Sequence, residues 1–439
     1  MSKKFFNSGQ HWVWLNAGAI SISIIMVVGL LLLIAVRGLS HFWPAEVKTF
    51  EVVQEKETVQ VMGEIHNIED DIQDGLERKQ YLLKMGNRDV YGLDFKWLDV
   101  KSITDTTVNE DAIVVERREW GNLYGFLTSV TKDGTVYKED PEALQDIIER
   151  ALEIHGEIRD IETGDIGAIN YAMEQLRLDQ RLLELDDELT EEAKAELDKQ
   201  RAELQEEFLS YQEQLQELYA DIKRDTAQFT LIGGETITLT AGNIVRAFQP
   251  NQMGFWAKLG HYFSKIGEFI FDEPREANTE GGVFPAIFGT VLMVLLMSIV
   301  VTPLGVVAAV YMREYAKQGP LTRTIRIAVN NLAGVPSIVY GVFGLGFFVY
   351  FLGGSIDELF YPEVSPSPMF GTPGLIWASL TLALLTLPVV IVSTEEGLAR
   401  IPKSIREGSL ALGATKFETL RKTVLPMASP AMMTGLILA

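Results

Sequence analysis

The chain has 439 residues, a net charge of −22 and no cysteine. Its charge is concentrated in residues 45–253, which hold 47 acidic and 22 basic side chains, whereas the remainder of the chain is slightly basic. The lack of cysteine excludes disulfide bonds and thiol chemistry. A composition divided in this way predicts that one chain occupies two physical environments.

Four stretches contain no Asp, Glu, Lys or Arg: residues 5–36, 281–312, 327–356 and 364–394. Each exceeds the roughly 20 residues that a helix needs to cross the hydrocarbon core of a bilayer. We therefore predict four membrane-spanning helices. The apolar core of the first, residues 17–36, is longer than that of a signal peptide and no small-residue cleavage site follows it, which favours an uncleaved anchor.

Basic residues flank these stretches in alternation. Lys3 and Lys4 precede the first stretch, four cations follow the second, and six lie between residues 395 and 426. The loop after the third stretch carries three acids and no cation. Because short cytoplasmic loops carry the excess of Lys and Arg, we predict a cytoplasmic N-terminus (residues 1–44 with the first span) and an extracytoplasmic location for residues 45–280.

Residues 45–252 are predicted to form a β-rich domain with an inserted helical hairpin at about residues 141–226. Alternating apolar residues and turn signals indicate short strands up to about residue 137, and strands return in "QFTLIGGETITLT". Between them, heptad spacing predicts an antiparallel coiled-coil hairpin, with Gly164 as a hinge or helix stop. The hairpin is either a docking arm for a soluble partner or a solvated spacer.

Residues 253–280 are predicted to form an amphipathic helix and a linker. In "MGFWAKLGHYFSKIGEFIF" the aromatic and aliphatic residues share one face, and Lys258, Lys265 and Glu268 share the other. Such a helix suits the membrane interface. Packing of the same helix on the β-rich domain is the alternative.

The third uncharged stretch contains residues that are unusual in a spanning helix, namely Asn330, Asn331, Pro336 and Ser337. Proline removes a helical hydrogen bond, and small polar residues either line a polar path or allow close helix packing. We interpret these four as a candidate translocation path, with tight packing as the alternative. The absence of acidic residues, lysine and arginine from all four stretches argues against a proton-coupled secondary transporter.

The polar segment after the fourth stretch, residues 395–426, has a helical pattern of its own. Pro402 suits a first helical turn, residues 404–412 are predicted to form a helix, and Gly413 ends it. A second helix is predicted at residues 415–424. The apolar run from Thr423 to Ala439 is shorter than a spanning helix needs to be, so we expect the chain to continue and complete that span.

Within this segment, Glu407, Gly413, Leu425 and Pro426 resemble the EAA signature of ABC importer permeases. The positions that depart from the signature are Gly408 and Ser409, which replace its two alanines, and Thr423, which replaces its isoleucine. Together with "NLAGVPSIVYGVFGLGFF", the segment is similar to phosphate-specific permease subunits of the PstA type. This resemblance covers residues 281–439 and leaves the extended extracytoplasmic region unexplained.

The resemblance implies an α-helical polytopic membrane protein of the type I ABC importer class, placed in a bacterial inner membrane, with a large extracytoplasmic α+β insertion. It implies an ATPase-coupling role for Glu407, Gly408, Ser409, Gly413, Leu425 and Pro426, with Arg406 and Lys416 at the rim of the contact. The implied partners are a cytoplasmic ABC ATPase dimer, a second permease subunit and an extracytoplasmic phosphate-binding protein. ATP and Mg would be used by the ATPase, since no P-loop sequence occurs in this chain.

Other functions remain open at this level. A permease for another oxyanion or small solute would carry the same coupling segment. A membrane-anchored coiled-coil sensor or scaffold would need no cytosolic docking helix. A membrane enzyme is disfavoured because no motif groups a nucleophile, a base and an orienting residue, and the five isolated histidines offer no metal-site spacing. We expect no catalytic site, metal, cofactor or nucleic-acid partner on this chain.

Overall fold

The structure is a computed structural model that describes residues 10–54, 57–73, 76–275 and 280–438. Lys3 and Lys4, on which part of the topology prediction rests, and the terminal Ala439 lie outside these residues. The described residues divide into two compact units. The first comprises residues up to Ala168 together with Glu207–Phe284, and the second comprises Ile169–Glu206 together with the residues from Pro285 onward.

The α-helices of the described chain are α1 (Gln10–Ser40), α2 (Arg88–Tyr91), α3 (Pro141–Asp160), α4 (Ile166–Leu185), α5 (Glu191–Arg224), α6 (Phe255–Phe271), α7 (Phe284–Val310), α8 (Pro320–Leu332), α9 (Ser337–Gly344), α10 (Gly354–Phe360), α11 (Leu375–Arg400), α12 (Lys403–Ala411), α13 (Lys416–Thr419) and α14 (Leu425–Leu438). Stretches of π-helix occupy Ile161–Asp165, Tyr311–Tyr315, Leu345–Gly353 and Leu420–Val424.

The strands are β1 (Val47–Gln54), β2 (Glu57–Gln73), β3 (Leu76–Lys84), β4 (Phe95–Asp99), β5 (Ile103–Val108), β6 (Ile113–Arg117), β7 (Leu123–Lys132), β8 (Thr135–Lys138), β9 (Thr226–Thr230), β10 (Thr236–Thr240), β11 (Ile244–Phe248), β12 (Pro274–Arg275) and β13 (Glu280–Gly281). Two antiparallel sheets dominate the first unit. One has the order β4-β3-β2-β1-β5, and the other has the order β10-β9-β7-β6-β11 with β8 beside β7. The predicted strands are therefore confirmed.

The helical segment is inserted into the second sheet, as the sequence predicts. Strand β7 pairs with β9 in antiparallel register from Phe126–Thr230 to Thr131–Thr226, although the helices separate these strands in the chain. The turn between β7 and β8 has positive φ at both Asp133 and Gly134. Two-residue hairpins favour this conformation because it matches strand twist. Apolar residues of α3, including Leu144, pack against this sheet and form the main core of the unit.

The first helix of the predicted hairpin does not stop at Gly164. Residues Ile161–Asp165 form a π-turn that joins α3 to α4. A π-turn holds one extra residue per turn, so it absorbs the phase break in the heptad pattern without ending the helix. Near the base of the hairpin, Arg150 contacts Asp225 at 2.8 Å and Tyr219 donates to Glu162 at 2.6 Å, consistent with antiparallel helices. The coiled coil itself stays a prediction.

Each of the four predicted uncharged stretches overlaps a helix that could span a membrane, but the third and fourth helices begin about ten residues later than the stretches do. Helices long and apolar enough to cross a membrane are His11–Ser40, Phe284–Tyr315, Ser337–Phe360 and Leu375–Arg400. The helical structure is interrupted at residues 333–336. Pro336 has no N–H to donate to a preceding helical turn, and it stands at the N-cap of the next helix. The third predicted span is therefore confirmed with a later start, at Ser337.

In the second unit, α11 is the helix against which its neighbours pack. A side chain added at Gly397 would lie 2.5 Å from Cβ of Ala431 on α14. One added at Gly305 on α7 would lie 2.6 Å from Val390. Small residues at such crossings let spanning helices approach closely. In lipid the hydrophobic effect does not drive helices together, so the van der Waals contacts of this close approach stabilise the pair.

A buried ion pair fixes the loop that follows β6 in the first unit. The side chain of Arg117 is 2% exposed and donates two hydrogen bonds to Asp89, of 2.9 and 3.0 Å. It also donates to the carbonyls of Trp120 and Gly121. Burial by itself raises the pKa of Asp89, but the bonds and charge of Arg117 outweigh it and hold that pKa below the usual 3.8.

We predict that the β-rich region loses stability as the pH falls below about 4. Because the pKa of Asp89 is lower in the folded than in the unfolded state, its ionised form stabilises the fold at any pH above the unfolded-state pKa. This stabilisation is lost as the pH falls through the folded-state pKa. Urea unfolding followed by circular dichroism at pH 3 and 6 measures it. The Asp89→Asn variant should be less stable at pH 6 and show a smaller pH dependence, and an unchanged pH dependence would contradict the assignment.

Candidate functional site

The polar segment between α11 and α14 folds as two helices joined by a sharp turn. The first helix, α12, covers Lys403–Ala411, close to the predicted residues 404–412. The second was predicted at residues 415–424, but α13 covers only Lys416–Thr419. It continues through a π-turn, Leu420–Val424, into α14 without a break. The segment is thus a protruding helix followed by a turn that leads directly into the next apolar helix.

Gly413 makes the turn between α12 and α13. Its φ is +90°. This left-handed region costs residues with a Cβ atom about 1–2 kcal/mol. The helix that follows starts at a capping box, in which the N–H of Glu418 donates to Thr415 Oγ1 and the N–H of Thr415 donates to the Glu418 carboxylate. The hydrogen bonds that the N–H and the hydroxyl of Thr415 donate to the carboxylate lower the pKa of Glu418, and the capping box fixes the direction in which the chain leaves the turn.

The side chain of Arg406 anchors α12 to two spanning helices. Its guanidinium donates to the carbonyls of Leu398 and Ile401 at the end of α11, both at 2.8 Å. It also donates to Glu314, at 2.9 Å, in the π-turn that follows α7. The two side chains of this pair are 19% and 12% exposed. A largely buried charge with three partners holds the protruding helix rigidly.

Lys416 also connects the α12–α13 segment to the π-turn that follows α7. Lys416 Nζ lies 4.5 Å from the centre of the Tyr315 ring and donates to the carbonyl of Glu314. Sequence reasoning placed Arg406 and Lys416 at the rim of a contact with another protein. In the structure both cations have partners within the chain, and their place at such a rim stays a prediction.

The residues of the EAA-like signature divide into exposed and packed positions. Glu407 and Gly408 are exposed on α12, and Leu412 beside the turn is 91% exposed. Ser409 faces inward, and its hydroxyl lies 2.9 Å from the hydroxyl of Thr419, which is 4% exposed. A serine in place of the signature's alanine is therefore satisfied by a hydrogen bond across the turn.

Leu425 and Pro426 mark the start of the last helix. The N–H of Leu425 donates to the carbonyl of Leu420, five residues earlier, and closes the π-turn. Pro426 has no N–H to donate to the preceding turn, and the π-turn Leu420–Val424 lies directly before it in the continuous helix. Leu420 and Val424 belong to a buried cluster with Leu398 of α11. The α12–α13 segment is thus packed against α11 just before the Leu425–Pro426 pair that ends the signature.

The four residues of the predicted translocation path lie together at the break between α8 and α9. Asn330, Asn331, Pro336 and Ser337 are all exposed, and they flank this break, whereas the sequence placed all four within the third span. Tyr340 fixes the break, since its hydroxyl donates to the carbonyl of Leu332 at 2.7 Å. The structure places these residues on the two sides of residues 333–336, and their role in a translocation path stays a prediction.

Two carboxylates near the ends of spans were missed by sequence reasoning. Glu395, on α11, accepts both N–H groups of a bidentate contact from Arg326 on α8. Asp357, on α10, is 6% exposed and accepts from the N–H groups of Phe370 and Gly371 at 2.9 and 2.7 Å. Each residue is the first charged residue after an uncharged stretch, so the sequence shows that it lies near the end of a span. The sequence does not show which group the carboxylate contacts.

Comparison with protein families places the C-terminal spans and the α12–α13 segment in one known group. Residues 301–439 match the family described as "Binding-protein-dependent transport system inner membrane component". This range contains the break between α8 and α9 and the whole of the α12–α13 segment. The family prediction made from the two sequence motifs is confirmed for this region.

Curated relatives also match part of the chain. It is 32% identical over 166 residues to a probable ABC transporter permease, YqgH, of Bacillus subtilis, covering 38% of this chain and 50% of the relative. It is 36% identical over 159 residues to the phosphate transport system permease PstA of Mycobacterium leprae, covering 36% and 46%. It is 30% identical over 219 residues to the corresponding PstC of Mesorhizobium japonicum, covering 48% and 62%. The chain spans about half the length of the curated relatives it matches.

We predict opposite effects of alanine at Gly413 and at Gly408. A Cβ atom at either position meets nothing within 4 Å, so backbone conformation alone decides the outcome. Gly413→Ala should destabilise the turn by about 1–2 kcal/mol, because alanine is strained at positive φ. Gly408→Ala lies within α12 and should stabilise it by about 0.5–1 kcal/mol. Hydrogen exchange of residues 403–424 measures both, and equal exchange in the two variants would contradict the prediction.

Proposed function

Because residues 301–439 match the family of binding-protein-dependent transport system inner membrane components, we propose that this chain is a membrane-spanning permease subunit of an ATP-driven importer for inorganic phosphate. The observation that carries the proposal is the anchored helix α12, which lies inside the matched region. A membrane-anchored sensor needs no such cytosolic helix. Phosphate is favoured over other solutes because the printed names of several relatives specify it.

The protruding helix α12 is the contact site for a separate ATPase in this proposal. Its exposed side presents Glu407 and Gly408, with Leu412 at its tip. An exposed leucine at the tip of a rigid protrusion suits insertion into a groove on a partner. The ATPase dimer binds ATP and Mg, since this chain contains no G-x-x-x-x-G-K-[ST] sequence to hold a nucleotide phosphate.

Movement of α12 would be transmitted to α7, α11 and α14 through contacts described above. Arg406 joins α12 to the ends of α7 and α11, and the buried cluster around Leu398 and Val424 joins α11 to α14. Because packed helices shift as rigid bodies between discrete arrangements, closure of the ATPase dimer would rock these helices together. This is alternating access driven by force from another subunit.

The phosphate path would use the polar turn between α8 and α9. A phosphate anion in a membrane protein needs hydrogen-bond donors in place of water. Asn330, Asn331 and Ser337 supply amide and hydroxyl donors, and Pro336 leaves the turn free of helical structure. We propose that these residues contact phosphate during transport and that Tyr340 positions the turn.

The arrangement in the cell follows from the charge pattern and the family. We propose a bacterial inner membrane, a cytoplasmic N-terminus, an extracytoplasmic position for residues 45–280, and a second permease subunit that pairs with this one. A phosphate-binding protein would deliver substrate on the outer side. The helical hairpin at about residues 141–226 would then be a spacer or docking arm outside the membrane.

The proposal predicts that Glu407→Gln weakens coupling to the ATPase while Glu396→Gln does not. Both carboxylates are exposed near the cytoplasmic ends of helices, and only Glu407 belongs to α12. The complex of this chain, its partner permease, the ATPase and the binding protein should be assayed in vesicles for ATP hydrolysis stimulated by phosphate. Equal stimulation in the two variants would contradict the coupling role.

The same assay tests the substrate separately. Phosphate with its binding protein should stimulate hydrolysis, whereas sulfate or molybdate should not. Equal stimulation by sulfate would reject phosphate selectivity while leaving the coupling role in place.

A further inference from the structure

Helix α6 has two faces of opposite character. A spacing of seven residues places Trp256, Phe263 and Ile270 on one face of the helix. These side chains are 79%, 63% and 39% exposed. Lys265 and Glu268 lie on the opposite face. An apolar face this exposed on a short helix marks a surface that contacts something apolar.

Ion pairs hold the polar face of α6 against the rest of the first unit. The carboxylate of Glu268 contacts Lys265 at 3.0 Å and Arg246 of β11 at 3.4 Å, and also contacts Arg275. Lys265 reaches Glu116 of β6 at 2.6 Å. Burial raises the pKa of Glu268, but Lys265 and the two arginines outweigh it and lower that pKa. With this face fixed, the helix cannot roll to hide its aromatic side.

The first spanning helix ends beside α6. The ring of Trp43, three residues after α1, lies 6.1 Å from that of Phe255 and 5.9 Å from that of Tyr262. The ring of Phe42 lies 5.2 Å from that of Phe269. Aromatic residues at the end of a span belong at the boundary between headgroups and acyl chains. Their contacts therefore set the depth of α6.

The entry to the second spanning helix is bonded to the other end of α6. The N–H of Val283, which directly precedes α7, donates to the carbonyl of Phe269 at 2.8 Å. The helix is thus connected to the point where one span ends and to the point where the next begins. A helix held at two such points has its axis near the level of the bilayer surface.

We infer that the Trp256–Phe263–Ile270 face of α6 lies in the bilayer interface, with its aromatic side chains in the boundary region of the lipid. The occupant is lipid rather than another protein because α6 contacts, through Phe42 and Trp43, the end of α1, a helix long and apolar enough to cross a membrane. Such helices bury their apolar face about 5–10 Å into the boundary region. The ion-pair cluster on the other face then fixes the β-rich domain on the membrane surface. This inference does not rest on the proposed function.

The absence of cysteine in the chain allows a depth measurement on the full-length protein. Phe263→Cys is labelled with an environment-sensitive fluorophore and reconstituted in phosphatidylcholine–phosphatidylglycerol vesicles whose acyl chains carry bromine at shallow or deep positions. Shallow bromines should quench the label more strongly than deep ones. Trp256→Cys, at the most exposed position of the face, provides a second variant if Phe263→Cys does not fold.

Two control positions bracket the expected result. Ile24→Cys, in the middle of α1, should be quenched most by deep bromines, and Trp97→Cys, an exposed aromatic position of β4, should not be quenched. A label at residue 263 that behaves like the one at residue 97 would overturn the inference. A blue-shifted but unquenched label would mean that a protein covers this face, and would overturn it equally.

Discussion

The contact between Arg406 and Glu314 is the interaction on which the segment between α11 and α14 depends. Arg406 has three partners on two different helices, so α12 cannot move without the ends of α7 and α11. Removing one side of such a pair leaves a largely buried charge without compensation, which typically costs about 3–5 kcal/mol in fully buried pairs. Gly413 also contributes, because its left-handed backbone conformation sets the direction in which the chain leaves α12 toward α13 and α14.

The chain uses the same physical solution at other helix ends. Each of Glu268, Glu314 and Asp357 is a carboxylate with little exposure that accepts hydrogen bonds from side-chain cations or backbone N–H groups. In each case the carboxylate connects a helix end to a neighbouring segment. Contacts between apolar side chains and lipid do not fix how one helix is oriented relative to another, because lipid tails and apolar side chains are equally good neighbours for an apolar surface. Charged contacts at the helix ends supply the orientation that the spans themselves lack.

Much of the fold follows from patterns that the sequence exposes. Uncharged stretches identify the spans, alternation identifies the strands, and the glycine at residue 413 marks the turn after α12. The errors have local causes. A π-turn carries the helix through Gly164, and Pro336 starts a new helix rather than kinking an old one. Partners of side chains such as Arg406 and Glu395 depend on helices brought together from distant parts of the chain, and a single sequence gives no direct signal for them.

In the proposed function, force from the ATPase would enter the membrane helices through Arg406. The most direct measurement is phosphate-stimulated ATP hydrolysis by the reconstituted complex carrying Arg406→Ala, with Arg421→Ala, an exposed arginine of the same segment, as the matched control. The account predicts that the Arg406→Ala complex still assembles and hydrolyses ATP at its basal rate but loses stimulation, whereas Arg421→Ala keeps it. Full stimulation in the Arg406→Ala complex would contradict the account.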